Sequence, residues 1–385
     1  MKLKAQNKYA NDIIDYLKWR GDILIDDQYP INEVDSLILA RSSYLPFNKV
    51  ALAPRESFKS LYSKIKSEKY VRYNLHNDIM LVEQLSLAPR FQNLVITDYE
   101  EHFDVKDECQ FVAITIHLPD DALYLSFIGT DVTLIGWKED FNMLFLPSTP
   151  AQAYAKAYLE RIASKYQKAK LRLGGHSKGG NVAMYAALTT TKDIQDRIIS
   201  IDNYDGPGFL KDFISQLHTN PETVEKIRNY TPQGSMVGRM LQRQGGNTIV
   251  YSMEDDGPYQ HDIYSWEIEA CRFKRAGKYT VNSNIADRTF EQIAEKIPIE
   301  NRKIFVDTVY DIVLKANFKS MDDIRSSWLR KLPKIVSTYR DIEDPKQREL
   351  IVKFISEIIT FYRGARKENI EPKAKKRNKR TNAAE

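Results

Sequence analysis

The run Gly175-His176-Ser177-Lys178-Gly179 sets a serine between two glycines, each two residues away. A serine hydroxyl attacks a carbonyl only when a base removes its proton and a carboxylate orients that base. The G-x-S-x-G spacing suits such chemistry when a strand turns sharply into a helix. Small residues at 175 and 179 let strand and helix pass closely, while the serine takes a strained conformation at the turn. The short stretch 170–175 (KLRLGG) reads as the strand, and 178–190 (KGGNVAMYAALTT) as an amphipathic helix. The Lys178 amide then points from a helix N-terminus toward the place where an oxyanion would form. An incidental serine in a Gly-rich turn is the plainer alternative, and the surrounding pattern disfavours it.

Two histidines follow Ser177 in the chain, His218 and His261. His218 falls in a helix tail (FISQLHTN), where a solvated role fits. His261 lies in the loop GPYQHDIYSW after the last clear strand, which is where the base belongs when serine, acid and histidine follow in that chain order. His176, beside the nucleophile, reads as a buried positioning residue. For the acid, Asp205 (IDNYDGPGF) ends the strand that follows the elbow helix. Asp255 and Asp256 (MEDDGP) end a later strand and stand nearer His261 in sequence. Both Asp-Gly-Pro settings also suit simple turns, so the choice of Asp205 leaves Asp255 and Asp256 open.

These residues need a sheet to carry them, and the sequence supplies one. Stretches 92–97, 110–117 and 122–128 are short and rich in β-branched and aromatic residues, with tight links that predict antiparallel neighbours. From residue 150 the pattern alternates: helix 150–168, strand 170–175, helix 178–190, strand 196–203, a helix near 208–218, then strands 224–231 and 247–253. That alternation predicts parallel strands covered by helices on both faces. Helical segments at 9–20, 32–43 and 55–89 lead in, and residues 287–364 read as helix alone. The expected organisation is a hydrolase domain over 1–285, a helical extension over 286–364 and a basic disordered tail over 365–385. Apolar residues Ile304, Val306, Val309, Ile312 and Val313 at helical spacing predict packing within the extension.

Composition narrows the function classes. The 385 residues are 42% hydrophobic and 28% charged, the balance of a globular protein. The 57 Lys/Arg and 52 Asp/Glu give +5. Residues 363–385 hold nine Lys/Arg against three Glu, so the remaining body is close to neutral. A nucleic-acid binder should carry its basic surface on the fold itself; this tail suits at most weak contact with an anionic surface. Cys109 and Cys271 make no disulfide framework, no secretory or membrane-spanning apolar run occurs, and a cytoplasmic location is expected. No H-E-x-x-H, Cys/His cluster or Walker A run is present, so no metal or cofactor is expected.

The run LYLSFIGTDVTLIGWKEDFNM (123–143) followed by LRLGGHSKGGNVAMYAA resembles class 3 lipases. More narrowly, NEVDSLIL, GWKEDFNM, GHSKGGN, DGPGF and QHDIYSW together resemble an uncharacterised bacterial lipase-like family of α/β-hydrolases. The likeness covers roughly residues 10–270. It implies that the amide of Thr130 joins that of Lys178 in an oxyanion hole and that residues 132–145 occupy a lid position. Class 3 lipases usually carry their acid in a segment corresponding to 232–237, where this chain has no Asp. Some other lipases place it one strand earlier, as Asp205 stands here. Lys178 replaces a usual leucine and is expected to put a cation at the pocket mouth. The expected activity is ester hydrolysis by Ser177, His261 and Asp205 on a carboxylic ester, a lipid ester being one candidate. The alternative is an inactive descendant of the fold serving as an interaction module.

Overall fold

The computed structural model describes residues 10–66, 75–131, 133–217, 220–255 and 257–369. Its centre is an eight-stranded sheet whose strands lie side by side in chain order. They are β1 (Glu56–Ser57), β2 (Val95–Asp104), β3 (Cys109–His117), β4 (Leu123–Phe127), β5 (Leu171–His176), β6 (Ile198–Tyr204), β7 (Ile227–Pro232) and β8 (Gly246–Val250). Pairings from β1 to β4 are antiparallel and those from β4 to β8 parallel. The antiparallel hairpins and the later alternation match the sequence expectation. Two details differ. Strand β2 runs on to Asp104 because a bulge between Thr97 and Glu100 lets a polar stretch keep pairing with β3. Residues 224 and 225 close a short helix, Pro221–Glu225, capped by Asn220, so β7 begins only at Ile227.

Successive strand residues point to opposite faces and feed two cores. On one face Ile114, Ile116, Tyr124, Tyr204 and Tyr230 pack with the amino-terminal helices and Trp266. On the other, Ala113, Leu125, Phe127, Leu173 and Ile201 meet helices Pro150–Lys165 and Lys178–Thr189. Sheet order, parallel half and helices on both faces make this an α/β-hydrolase fold.

The lead-in helix Glu33–Arg41 is buried along nearly its whole length, which explains the run NEVDSLIL. Asn32 and Asp35 form a capping box at its start. Asp35 pairs with Arg90, and both side chains are fully buried. Ser36 donates to Asp202 of β6 at 2.8 Å, and Ser126 of β4 donates to the Ala40 carbonyl at 2.9 Å. The helix ends at Arg41, whose guanidinium makes two bonds to buried Asp78 and lies 3.7 Å above the Tyr44 ring. Tyr44 is thereby fixed beneath the elbow.

The helical block of the carboxyl end comprises Val281–Lys296, Ile299–Lys315, Met321–Arg340 and Pro345–Asn369. The expected packing of 304–313 holds only in part. Val306 is buried, but Ile304 and Val309 are more than a third exposed. Residues 370–385, most of the expected basic tail, lie outside the described residues, as does His218. Cys109 and Cys271 are free thiols. Among the described residues no helix is long and apolar enough to cross a membrane, and no group of three or more His, Cys, Asp or Glu could hold a metal ion.

Candidate active site

Strand β5 ends at His176, and Ser177 turns the chain into helix Lys178–Thr189. Ser177 has φ 60° and ψ −134°, a region that costs a non-glycine residue roughly 1–3 kcal/mol. Its amide donates to the Tyr204 carbonyl at 2.9 Å, which helps hold the turn. A Cβ on Gly175 would lie 2.2 Å from the Gly179 backbone, and one on Gly179 would lie 2.2 Å from the Phe127 carbonyl oxygen. The two glycines are there because helix and strands pass too closely for any side chain.

The structure brings Ser177, His261 and Asp205 together. His261 Nε2 lies 2.9 Å from Ser177 Oγ, and His261 Nδ1 lies 2.7 Å from Asp205 Oδ2. A carboxylate can only accept, so Nδ1 carries the hydrogen and Nε2 is left to receive the serine proton. Asp205 follows β6 with φ 54°, and its amide donates to the Tyr230 carbonyl of β7. Its second oxygen, Oδ1, accepts from the Ser235 hydroxyl and from the Gly238 amide at 3.2 Å. A Cβ on Gly238 would stand 2.3 Å from that oxygen. Asp255 is exposed, and Asp256 lies outside the described residues.

His261 sits in a short 3-10 turn, Pro258–His261, braced by its neighbours. The Gln260 side chain accepts from the Gly234 amide and donates to the Glu254 carbonyl; Trp266 Nε1 donates to the Gln260 carbonyl at 2.9 Å. The run QHDIYSW is therefore a bracket for the imidazole. His176 completes it from below. Its Nε2 lies 2.9 Å from the His261 carbonyl oxygen, which only accepts, so Nε2 is the donor. Its Nδ1 lies 3.3 Å from the Tyr44 hydroxyl. Burial, with the nearby His261 and Arg41, pushes the His176 pKa well below the usual range. It stays neutral and holds the backbone of His261.

Thr130 and Lys178 both border a cavity of about 170 Å³ that opens on Ser177. The cavity is roofed by helix Leu134–Asn142, the segment expected at the lid position, with Trp137, Asp140 and Phe141 facing in. The Thr130 hydroxyl donates to Asp140, 2.6 Å from each carboxylate oxygen. Burial pushes the Asp140 pKa up to about 6, against the opposing pull of Lys178 and the Thr130 hydroxyl.

Lys178 departs from expectation. Its ammonium is not at the pocket mouth but buried, 2.6 Å from Glu139 Oε2 of the roof helix. It also donates to the Gln110 carbonyl at 2.6 Å and the Gln110 side-chain oxygen at 2.9 Å. Burial alone would lower its pKa, yet Glu139 and Asp140 hold it above the usual lysine range. The carboxylate of Glu139 also accepts from the amides of Gln110 and Ala151. The neighbouring Lys138 bonds Glu108, Asn142 and Asp307. The roof is thus tied at its base to the elbow and to the helical block.

The sequence reading missed Ser235, Gln260, Glu139 and Asp140 as parts of this assembly. The signal at Ser235 was present: it stands in the segment where the resemblance to class 3 lipases leads one to look for an acid, and its hydroxyl meets the Asp205 carboxylate.

A strained serine after a parallel strand, a histidine from a late loop and an acid on the next strand edge are the features of a lipase-like α/β-hydrolase. The model of the Mbeg1-like family matches residues 85–311, and the chain belongs to that lipase-like family. No curated protein sequence matches it. Among solved structures it is similar to a fungal lipase in complex with an inhibitor, at 12% identity and TM-score 0.34, over 44% of this chain and 69% of that one. The lipase of Rhizopus microsporus var. chinensis aligns at 11% identity and TM-score 0.34, over 57% and 73%. The propeptide complex of Rhizomucor miehei lipase aligns at 13% and 0.29, over 41% of this chain; the chain spans 57% of that lipase's length.

Proposed function

We propose that this protein is a serine ester hydrolase acting through an acyl-enzyme. The observation that carries the reading is the unbroken relay from Ser177 Oγ through His261 to Asp205, at 2.9 and 2.7 Å. In this reading Ser177 attacks the carbonyl carbon as His261 Nε2 takes its proton. The tetrahedral oxyanion is held by the amides of Thr130 and Lys178, each worth on the order of 10²–10³ in rate. His261 then returns the proton to the leaving alcohol, and water repeats the sequence on the acyl-enzyme. Asp205 keeps the imidazole oriented and stabilises its positive form.

Two departures favoured an inactive interaction module: the missing Asp near residue 235 and the lysine at 178. Asp205 stands within reach of His261 in place of the first, and the ammonium of the second is spent on Glu139, away from the entrance. The test is labelling by a fluorophosphonate probe. Wild type should label, and Ser177→Ala and His261→Ala should not. A folded wild type that resists both the probe and a panel of short esters would return the module reading.

A further inference from the structure

The helix Pro345–Asn369 buries one face and leaves a second apolar stripe uncovered. Ile351, Phe354 and Ala365 are buried. Phe354 packs with Ile293 of one neighbouring helix and stacks on Phe305 of another, 4.0 Å between centroids. That face holds the helix in place. Beside it, Val352, Ile355, Ile359 and Tyr362 stand between 44% and 56% exposed. Their spacing of three, four and three residues sets them within about 80° of the helix circumference. A single exposed apolar side chain is ordinary, but a row of them along one helix is a patch.

Cations border the row. Lys353, Arg363 and Lys367 are exposed on the side away from the core, where Glu349 also stands, and Arg366 continues the line of the stripe itself. Glu357 lies farther round the helix, and Glu368 is taken up by Arg288 at 3.5 Å. The flank is therefore net positive. Residues 370–385, which follow directly, add six Lys/Arg against two Glu and contain no aromatic residue.

We propose that this stripe is a docking face for an anionic phospholipid bilayer. The helix lies along the surface, with the stripe at the acyl boundary and the cations among the headgroups. An apolar row bordered by lysine and arginine is what an interfacial helix needs. Lysine is a point charge on a flexible stem, so lysine-rich charge without aromatics suits a diffuse anionic plane better than a shaped pocket. A second copy of this chain is the poorer occupant, because an isologous contact would set a net-positive face against its own like. The inference is independent of the ester-hydrolase reading.

The test is flotation of the full chain with vesicles of equimolar phosphatidylserine and phosphatidylcholine, beside vesicles of phosphatidylcholine alone. Wild type should float with the anionic vesicles, bind the neutral ones at least about tenfold less, and lose binding as salt rises. Ile355→Glu/Ile359→Glu should weaken binding to the anionic vesicles by about tenfold or more. Both positions are exposed, so the urea unfolding curve should match wild type. Lys353→Gln/Arg363→Gln should weaken binding by about twentyfold, each cation being worth about fivefold. Lys192→Gln, exposed on a helix elsewhere, should leave it unchanged.

Ser177→Ala should bind the vesicles as wild type does, since the stripe and not the catalytic cavity makes the contact. Loss of binding in that variant would assign the contact to the cavity and overturn the proposal. So would a wild type that ignores both vesicles, or equal binding by a well-folded Ile355→Glu/Ile359→Glu. A wild-type dimer that this double variant splits, without vesicle binding, would give the stripe to a second copy instead.

Discussion

Replacing Lys178 with methionine isolates the ion pair that ties the elbow to the roof. The Lys178 and Glu139 side chains are 1% and 0% exposed, so neither charge can turn to water when its partner is lost. Breaking a buried pair on one side costs roughly 3–5 kcal/mol. Glu139 keeps the amides of Gln110 and Ala151 at 3.1 and 2.8 Å, which places the expected cost near the lower end, about 3 kcal/mol. That is a large share of a total stability of about 5–15 kcal/mol. The cost should arise from stranded charge and not from lost volume, since methionine fills much of the lysine's path. Lys178→Met/Glu139→Gln should therefore be more stable than Lys178→Met alone, because the amide oxygen still accepts from a backbone donor and carries no charge. Urea unfolding followed by tryptophan fluorescence reads both differences, Trp137 being on the roof helix itself. A loss below about 1 kcal/mol in the single variant, or a double variant no better than the single, would refute the reasoning.

Two further outcomes follow from the site. Asp205→Asn should cut ester turnover by about 10⁴ through loss of the imidazole's orientation, while Asp255→Asn, at an exposed position, should stay within about threefold of wild type; equal effects in kcat would mean that Asp205 is not the orienting acid. Asp140 binds its proton more tightly folded than unfolded, so its contribution to stability is greatest at low pH and is lost as pH rises from the ordinary carboxylate range through about 6. Asp140→Asn should flatten the dependence of the urea midpoint between pH 4 and about 6.5, and an unchanged slope would contradict it.

Much of the elbow was legible because its constraints are local. The glycines at 175 and 179, the strand before and the helix after all fall between Leu171 and Thr189, and each follows from steric need. Order along the sheet was legible for a similar reason: short links force antiparallel hairpins, and alternating helices force parallel strands. What the sequence left open depended on distant contacts. Nothing near Asp205, Asp255 or Asp256 shows which of them meets His261, since the choice is made by loops 56 residues apart and by the Ser235 hydroxyl. The fate of Lys178 depended on Glu139, 39 residues earlier and on another element. Read by position, a lysine at the pocket entrance implies a free cation. Only the burial of both partners turns it inward. Likewise the apolar spacing of 304–313 gave the helix but not its surroundings, and Ile304 and Val309 face outward.

On the proposed reading, the position of Asp205 shows how a hydrolase could shift its acid without moving the site. Strands β6 and β7 are parallel neighbours, with Tyr204 opposite Tyr230. Loops leaving them therefore emerge side by side at one sheet edge. A carboxylate from either loop can reach the same imidazole, provided the other loop makes room and supplies donors. Here β6 supplies Asp205, and the loop after β7 supplies the Ser235 hydroxyl and the Gly238 amide to its far oxygen, with glycine at 238 because a side chain would occupy that oxygen's place. The segment that lacks an aspartate is thus not a vacancy in the site but the cradle of the acid next door. On that ground the absence of Asp from 232–237 says nothing against a proton relay here. What would speak against it is a change at Ser235 or Gly238 that leaves Asp205 without its support.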